Sequence, residues 1–192
     1  MRILQGRRSR ATAWLVGAAA MLFATQVASA TVDAQKSWAG FSLKTRWGQT
    51  LEGHFPVMEG EIVLAGDRKR VQLRLSTDEV VVIGSPRYSR LTRGEGFFDA
   101  DHHPQVVFVS DAYPASLVRE GGRLAGELTI RGTTRREVFI VEPSTCDRPG
   151  IDCDVVAAGV VYRGDYAMDR WAFALSDRVQ LVLRLRTRSG GA

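Results

Sequence analysis

The chain reads as an all-β protein, an antiparallel eight-stranded barrel carrying one short helix. Three observations predict this. Apolar and polar residues alternate with a period of two in several segments, the pattern of strands with one dry and one wet face. The segments follow one another at short intervals set by Gly, Pro and Asp, which favours hairpins over parallel units, whose crossovers need a dozen or more residues. A single segment has a helical look, too short to cover a sheet, so the sheet must cover itself by closing, which also removes its edges.

In chain order, residues 1–30 have the parts of a secretory leader. Arg2, Arg7, Arg8 and Arg10 precede an apolar run from Ala11 to Ala24, and Ala28-Ser29-Ala30 forms a small-residue cleavage site. The mature chain is expected to begin at Thr31 in the periplasm, since the apolar run falls well short of the roughly 20 residues a spanning helix needs. Strands are expected near 38–47 and 50–64. Val71, Leu73 and Leu75 then alternate with Arg70, Gln72, Arg74 and Ser76. The helix is placed at 86–93, with Pro86 as its first-turn residue. Strands near 105–111 and 113–119 follow. Leu124, Leu128 and Ile130 alternate with Ala125, Glu127, Thr129 and Arg131. After strands near 135–142 and 154–163, Val179, Leu181, Leu183 and Leu185 alternate with Arg178, Gln180, Arg184 and Arg186.

Charge narrows the function. The formal +5 counts 26 basic against 21 acidic residues. Four of the basic ones lie in the leader, so residues 31–192 carry 22 minus 21, or +1. Nucleic-acid binding, which needs a basic stripe to engage phosphates, is not indicated. The 162 residues after the leader suffice for one domain with one core. The two cysteines, Cys146 and Cys153, flank a turn-rich Asp147-Arg148-Pro149-Gly150-Ile151-Asp152. In an oxidising compartment they are expected to form a disulfide, a structural clip rather than a redox pair.

Two blocks carry the most information. Gly96-Phe97-Phe98-Asp99 is followed by His103-Pro104-Gln105-Val106-Val107-Phe108-Val109-Ser110, and later comes Gly126-Glu127-Leu128-Thr129-Ile130-Arg131-Gly132-Thr133-Thr134-Arg135. Their order and spacing resemble the YceI-like family of bacterial periplasmic lipid-binding proteins. Weaker matches are Phe41-Ser42-Leu43-Lys44, Gly53-His54-Phe55 leading to Gly60-Glu61-Ile62, and Arg163-Gly164-Asp165-Tyr166-Ala167-Met168. The chain departs from the family at Thr45, where a His is common, and at Arg87-Tyr88-Ser89-Arg90 before Leu91.

The resemblance implies an extended lipocalin-like barrel whose apolar tunnel encloses a long isoprenoid or acyl chain, with no cofactor and no catalysis. On that reading the tunnel lining falls to Phe41, Leu43, Phe55, Leu73, Leu75, Leu91, Phe97, Phe98, Phe108, Leu128, Ile130, Trp171, Leu181 and Leu183, with no inward charge. Phe97 and Phe98 are placed at a barrel mouth, and Trp171 with Phe173 at a rim. Arg87, Arg90 and Arg93 are candidate contacts to a quinone or phosphate head. The cargo is a polyisoprenoid, such as a quinone tail or polyprenyl phosphate, or a related lipid. Transient contact with a membrane or a quinone-linked membrane protein is compatible with this role, as is a homodimer sharing one ligand.

Two other classes compete. An outer-membrane barrel would turn the same alternating strands inside out, apolar face to lipid and arginines inward. A secreted enzyme acting on an apolar substrate would use Asp99 or His102 as base. The cluster Asp99, Asp101, His102 and His103 is read as a polar loop rather than a metal site, because neighbouring side chains in an extended segment point apart.

Overall fold

The computed structural model describes residues 29–188. Its strands are β1 (Ser29–Thr31), β2 (Trp38–Thr45), β3 (Thr50–His54), β4 (Met58–Ala65), β5 (Arg68–Ser76), β6 (Val81–Val82), β7 (Gln105–Ser110), β8 (Tyr113–Pro114), β9 (Gly122–Ile130), β10 (Thr133–Val141), β11 (Val155–Tyr162) and β12 (Leu175–Leu185). The helices are α1 (Pro86–Arg93) and α2 (Leu117–Glu120), and a 3₁₀ turn spans Arg163–Tyr166. The leader assigned to residues 1–30 lies, through residue 28, outside the described residues.

All strands belong to one antiparallel sheet that runs β4-β5-β7-β9-β10-β11-β12-β2-β3, with β1 beside β4 and β6 beside β3. The two ends of this path, β3 and β4, are halves of the single strand that the sequence places at 50–64. It bends at Phe55-Pro56-Val57, so its first half pairs with β2 and its second with β5. Pro56 has no amide hydrogen for a ladder, which suits the bend. Counting β3 and β4 as one stave, the ring has eight: β2, β3/β4, β5, β7, β9, β10, β11 and β12.

The inner faces carry the residues that alternation marks as apolar. Leu73 pairs with Phe108, and Phe108 with Leu128, forming a row across β5, β7 and β9. On the opposite wall Phe41 pairs with Leu181 and Leu43 with Val179. All of these but the half-buried Leu181, which packs against it, belong to one buried cluster, while Glu127, Arg178, Gln180 and Arg184 on alternate positions are exposed. The apolar face therefore points inward, the reverse of a transmembrane barrel.

Two glycines let large rings lie against the wall. A Cβ on Gly126 would sit 2.7 Å from the Phe108 ring, and one on Gly159 would sit 2.8 Å from Phe139. Phe108 and Phe139 then meet edge to face with centroids 4.9 Å apart, a favoured geometry for aromatic pairs.

One end of the barrel is closed. Tyr113, Leu117, Leu124 and Val141 are buried there, and burial pushes the Tyr113 hydroxyl pKa up to about 12. Val32 bridges to Thr187 beyond the end of β12. Cys146 and Cys153 form the expected disulfide, and Arg186 fastens their loop to the barrel by pairing with Asp154 and donating to the Ile151 carbonyl at 2.8 Å.

Two strand expectations need correction. The segment 113–119 gives only the two-residue β8 and then α2. Its apolar Leu117 and Val118 are adjacent rather than alternating, and Gly121, at φ 77°, takes the chain out of the helix. The segment 38–47 stops pairing at Thr45, because Arg46 to Gly48 form a turn, with Gly48 at φ 85°.

A candidate apolar-ligand site inside the barrel

An internal cavity of about 270 Å³ opens at the end opposite the disulfide. All fourteen residues assigned to the tunnel lining face it, from Phe41, Leu43 and Phe55 on one side through Leu73, Leu75, Phe108, Leu128 and Ile130 to Leu181 and Leu183 on the other. Leu91, Phe97, Phe98 and Trp171 complete the set nearer the opening. Val106, Phe139, Val161, Met168 and Val179 join them. Phe139 and Val161 escaped the sequence reading because β10 and β11 lack clean alternation.

The helix and the loop after it position the upper wall. Ser85 caps α1 by accepting from the Tyr88 amide at 3.2 Å. The buried Ser89 hydroxyl accepts from the Val82 amide at 2.9 Å, tying α1 to β6. This brings Tyr88, Leu91 and Thr92 to the cavity. The adjacent phenylalanines then divide. Phe98 packs against Phe55 and Phe41, with centroids 5.5 and 6.5 Å away, whereas Phe97 stacks on Trp171 at 6.3 Å with the rings 10° from parallel. Phe173 lies beside Trp171 at 5.8 Å and points outward.

The expectation of no inward charge fails at two positions. Glu137 lies on the same side of β10 as Phe139, and Tyr166 donates its hydroxyl to it at 2.8 Å. Tyr166 is fully buried. Desolvation, reinforced by the bond to Glu137, raises its pKa.

Arg163 is the second. It lines the cavity yet is only 3% exposed. Its Nε donates to the Ser176 carbonyl at 3.0 Å, and its terminal nitrogens donate to the Met168 and Leu175 carbonyls at 2.6 and 3.4 Å. Residues 175 and 176 sit where the β2–β12 register shifts; such an irregularity takes carbonyls out of the ladder, and they then need donors. Burial lowers the Arg163 pKa from its ordinary value, with Asp177 and Asp169 opposing the change. The guanidinium, held by these carbonyls, stands under the opening.

The three arginines expected as head-group contacts lie outside the cavity wall. Arg87 and Arg90 are exposed on α1, and Arg93 donates to the Val80 carbonyl at 3.1 Å. None lines the cavity. Arg163 had a sequence signal, its place in the Arg-Gly-Asp-Tyr-Ala-Met match, but that match gives no hint that the side chain turns inward.

Asp99 and His102 are brought together at the rim, outside the cavity, with Nδ1 2.9 Å from Oδ1. Asp99 is left-handed at φ 51°, and its carbonyl accepts from the His102 and His103 amides. The hydrogen bond lowers the Asp99 pKa and raises that of His102. Among the described residues no group of three or more His, Cys, Asp or Glu is placed to hold a metal ion.

A closed antiparallel barrel with an apolar interior and one open end defines the lipocalin-like class of binding folds. The model of the YceI-like domain matches residues 31–187, and the chain belongs to that family. Among solved structures, Burkholderia cenocepacia BcnA is similar at 22% identity and a TM-score of 0.65, over 82% of this chain and 99% of that one. A polyisoprenoid binding domain from Saccharophagus degradans, implicated in plant cell wall breakdown, is similar at 16% identity and a TM-score of 0.62, over 83% and 97%. The Campylobacter jejuni YceI protein matches at 16% identity and a TM-score of 0.52, over 71% and 84%. At these identities the likeness concerns the fold. No curated protein matches the chain.

Proposed function

We propose that this protein is a non-catalytic carrier that holds a long apolar chain, a polyisoprenoid or a related lipid, inside the barrel and does so in the periplasm. The observation that carries the reading is the cavity, whose wall is mostly Leu, Val, Ile, Met, Phe and Trp drawn from all round the ring. Its volume of about 270 Å³ is well above the ~150 Å³ of an engineered apolar cavity that takes up benzene. Belonging to the YceI-like family supports the same ligand class, as does the similarity in fold to a polyisoprenoid binding domain. The leader at residues 1–30 and the cysteine pair support export.

The chemistry requires no special group. Covering on the order of 500 Å² of hydrocarbon at about 25 cal/mol per Å² provides ~12 kcal/mol gross, against at least roughly 4 kcal/mol for lost freedom. A tail held this way is recognised by its apolar character more than by its length, because one methylene changes little. The polar end of the lipid then stays at the opening, where Arg163 supplies positive potential.

Mass spectrometry of an organic extract of the protein, purified from the periplasm without detergent, tests the proposal. A stoichiometric isoprenoid or acyl lipid is expected. A clean extract that stays clean after incubation with native lipids refutes it.

A further inference from the structure

The two most exposed large apolar side chains among the described residues are Trp47 and Phe173, at 74% and 73%. Both sit at the open end, on turns that are fastened together. The Arg46 amide donates to the Ala174 carbonyl at 2.8 Å, and the Arg46 guanidinium to the Ala172 carbonyl at 3.2 Å. Tyr88 and Leu91, also exposed, face the same opening from α1. A contiguous apolar patch bounded by polar residues marks an interaction surface.

The charge around the patch says what it meets. Arg46 and Arg170 are exposed there, as are Arg87 and Arg90 on α1, interspersed with Asp101, Asp169, Asp177 and Glu95, which pairs with Arg170 at 3.6 Å. Protruding Trp and Phe beside arginines suit a surface that is anionic outside and apolar just beneath, which is the membrane interface.

We propose that the open end of the barrel is a membrane-docking face, with Trp47 and Phe173 entering the interfacial layer of an anionic phospholipid bilayer and Arg46, Arg87, Arg90 and Arg170 resting on its headgroups. Joined to the carrier reading, docking gives the cargo a dry route. A long tail crosses between bilayer and barrel without exposing its hydrocarbon to water, a cost that would otherwise oppose release as strongly as burial favours binding. The docking face itself stands without that reading, since it rests only on the rim.

Co-sedimentation of the purified protein with vesicles of phosphatidylcholine plus phosphatidylglycerol, and with phosphatidylcholine alone, tests the face. Stronger binding to the anionic vesicles is expected. R87Q/R90Q should lower it about tenfold to thirtyfold, from the usual gain per basic residue near such a surface. W47S/F173S should lower binding to both vesicle types by at least about tenfold. F173S alone, which leaves the cavity wall intact, should retain extracted lipid at the wild-type level.

No vesicle binding by the wild type, or equal binding by W47S/F173S, overturns the proposal. So does binding to native membranes that vanishes on protease treatment while protein-free vesicles bind nothing, an outcome that assigns the rim to a protein receptor. A rim-to-rim dimer in sedimentation, with no vesicle binding, overturns it in favour of a second copy. Vesicle binding by a protein that yields no lipid on extraction upholds the docking face while refuting the carrier reading.

Discussion

Tyr166 donates its hydroxyl to Glu137 at 2.8 Å, so a carboxylate on the inner side of β10 is covered by a fully buried ring. The Tyr hydroxyl stays protonated to unusually high pH because burial opposes the phenolate and Glu137 accepts its proton. Tyr166→Phe removes the donor and strands a partly buried carboxylate, at a cost on the order of 1 kcal/mol. Making Glu137→Leu in the same chain should restore much of the loss, since removing both partners is milder than removing one. Urea midpoints of the two single variants and the double variant measure the coupling, and additive effects would count against it.

Leu181→Gln places an amide in the cavity wall without disturbing the β2–β12 pairing made by Phe41 and Leu181 backbones. Burying an amide with no partner costs roughly 1–3 kcal/mol in proteins, and a bound tail would have to meet it. Lipid recovered by extraction should fall sharply with the far-UV circular dichroism unchanged. Undiminished recovery would remove Leu181 from the site.

A methyl group on Gly126 would lie 2.5 Å from the Val109 carbonyl oxygen and 2.7 Å from the Phe108 ring. Backbone cannot yield as a side-chain tip can, so Gly126→Ala is expected to destabilise the barrel by about 1–3 kcal/mol. It should also push Phe108 away from the wall and into the cavity, reducing lipid uptake. Denaturant titration checks the first effect, and extraction checks the second. Gly66→Ala, where a Cβ would meet open space, separates crowding from the strain of a positive φ.

The Asp99–His102 bond responds to pH in two directions. The raised His102 pKa means its contribution is complete below the ordinary His value and is lost as pH rises through the raised one. The lowered Asp99 pKa means its contribution is present above the ordinary carboxylate value and is lost as pH falls through the lowered one. The turn at 99–102 should therefore be tightest in mildly acidic solution. Amide exchange of residues 102 and 103 across a pH series measures this, and His102→Gln should return the Asp99 titration toward its usual range.

Much of the barrel was legible because its signal is local. Alternation in 70–76, 124–131 and 178–186 gave the inward faces of β5, β9 and β12, and Pro86 gave the start of α1. The bend at Phe55 to Val57 was not legible, because closing the ring depends on which partner each half of one strand meets. Helix α2 was missed since four residues are too few for a periodic signal to develop. The tunnel lining followed from alternation together with the family blocks. The inward place of Arg163 was missed because a buried cation is stabilised here by carbonyls that a register shift releases, and a shift between strands leaves no trace in sequence spacing. Arg87 and Arg90 were read as ligand contacts from their place near the entrance, but both stay exposed on α1 and neither lines the cavity.

The pairing of β2 with β12 joins the first long strand to the last. Contacts so distant in sequence are among the slowest to form. Until the C-terminal strand is available, Phe41 and Leu43 have no neighbour across that seam, and the whole apolar interior stands open as a curved sheet. The most hydrophobic surface of the molecule is thus the last to be hidden, so the interval before the seam closes is when this chain is most prone to stick to itself or to pick up lipid from its surroundings.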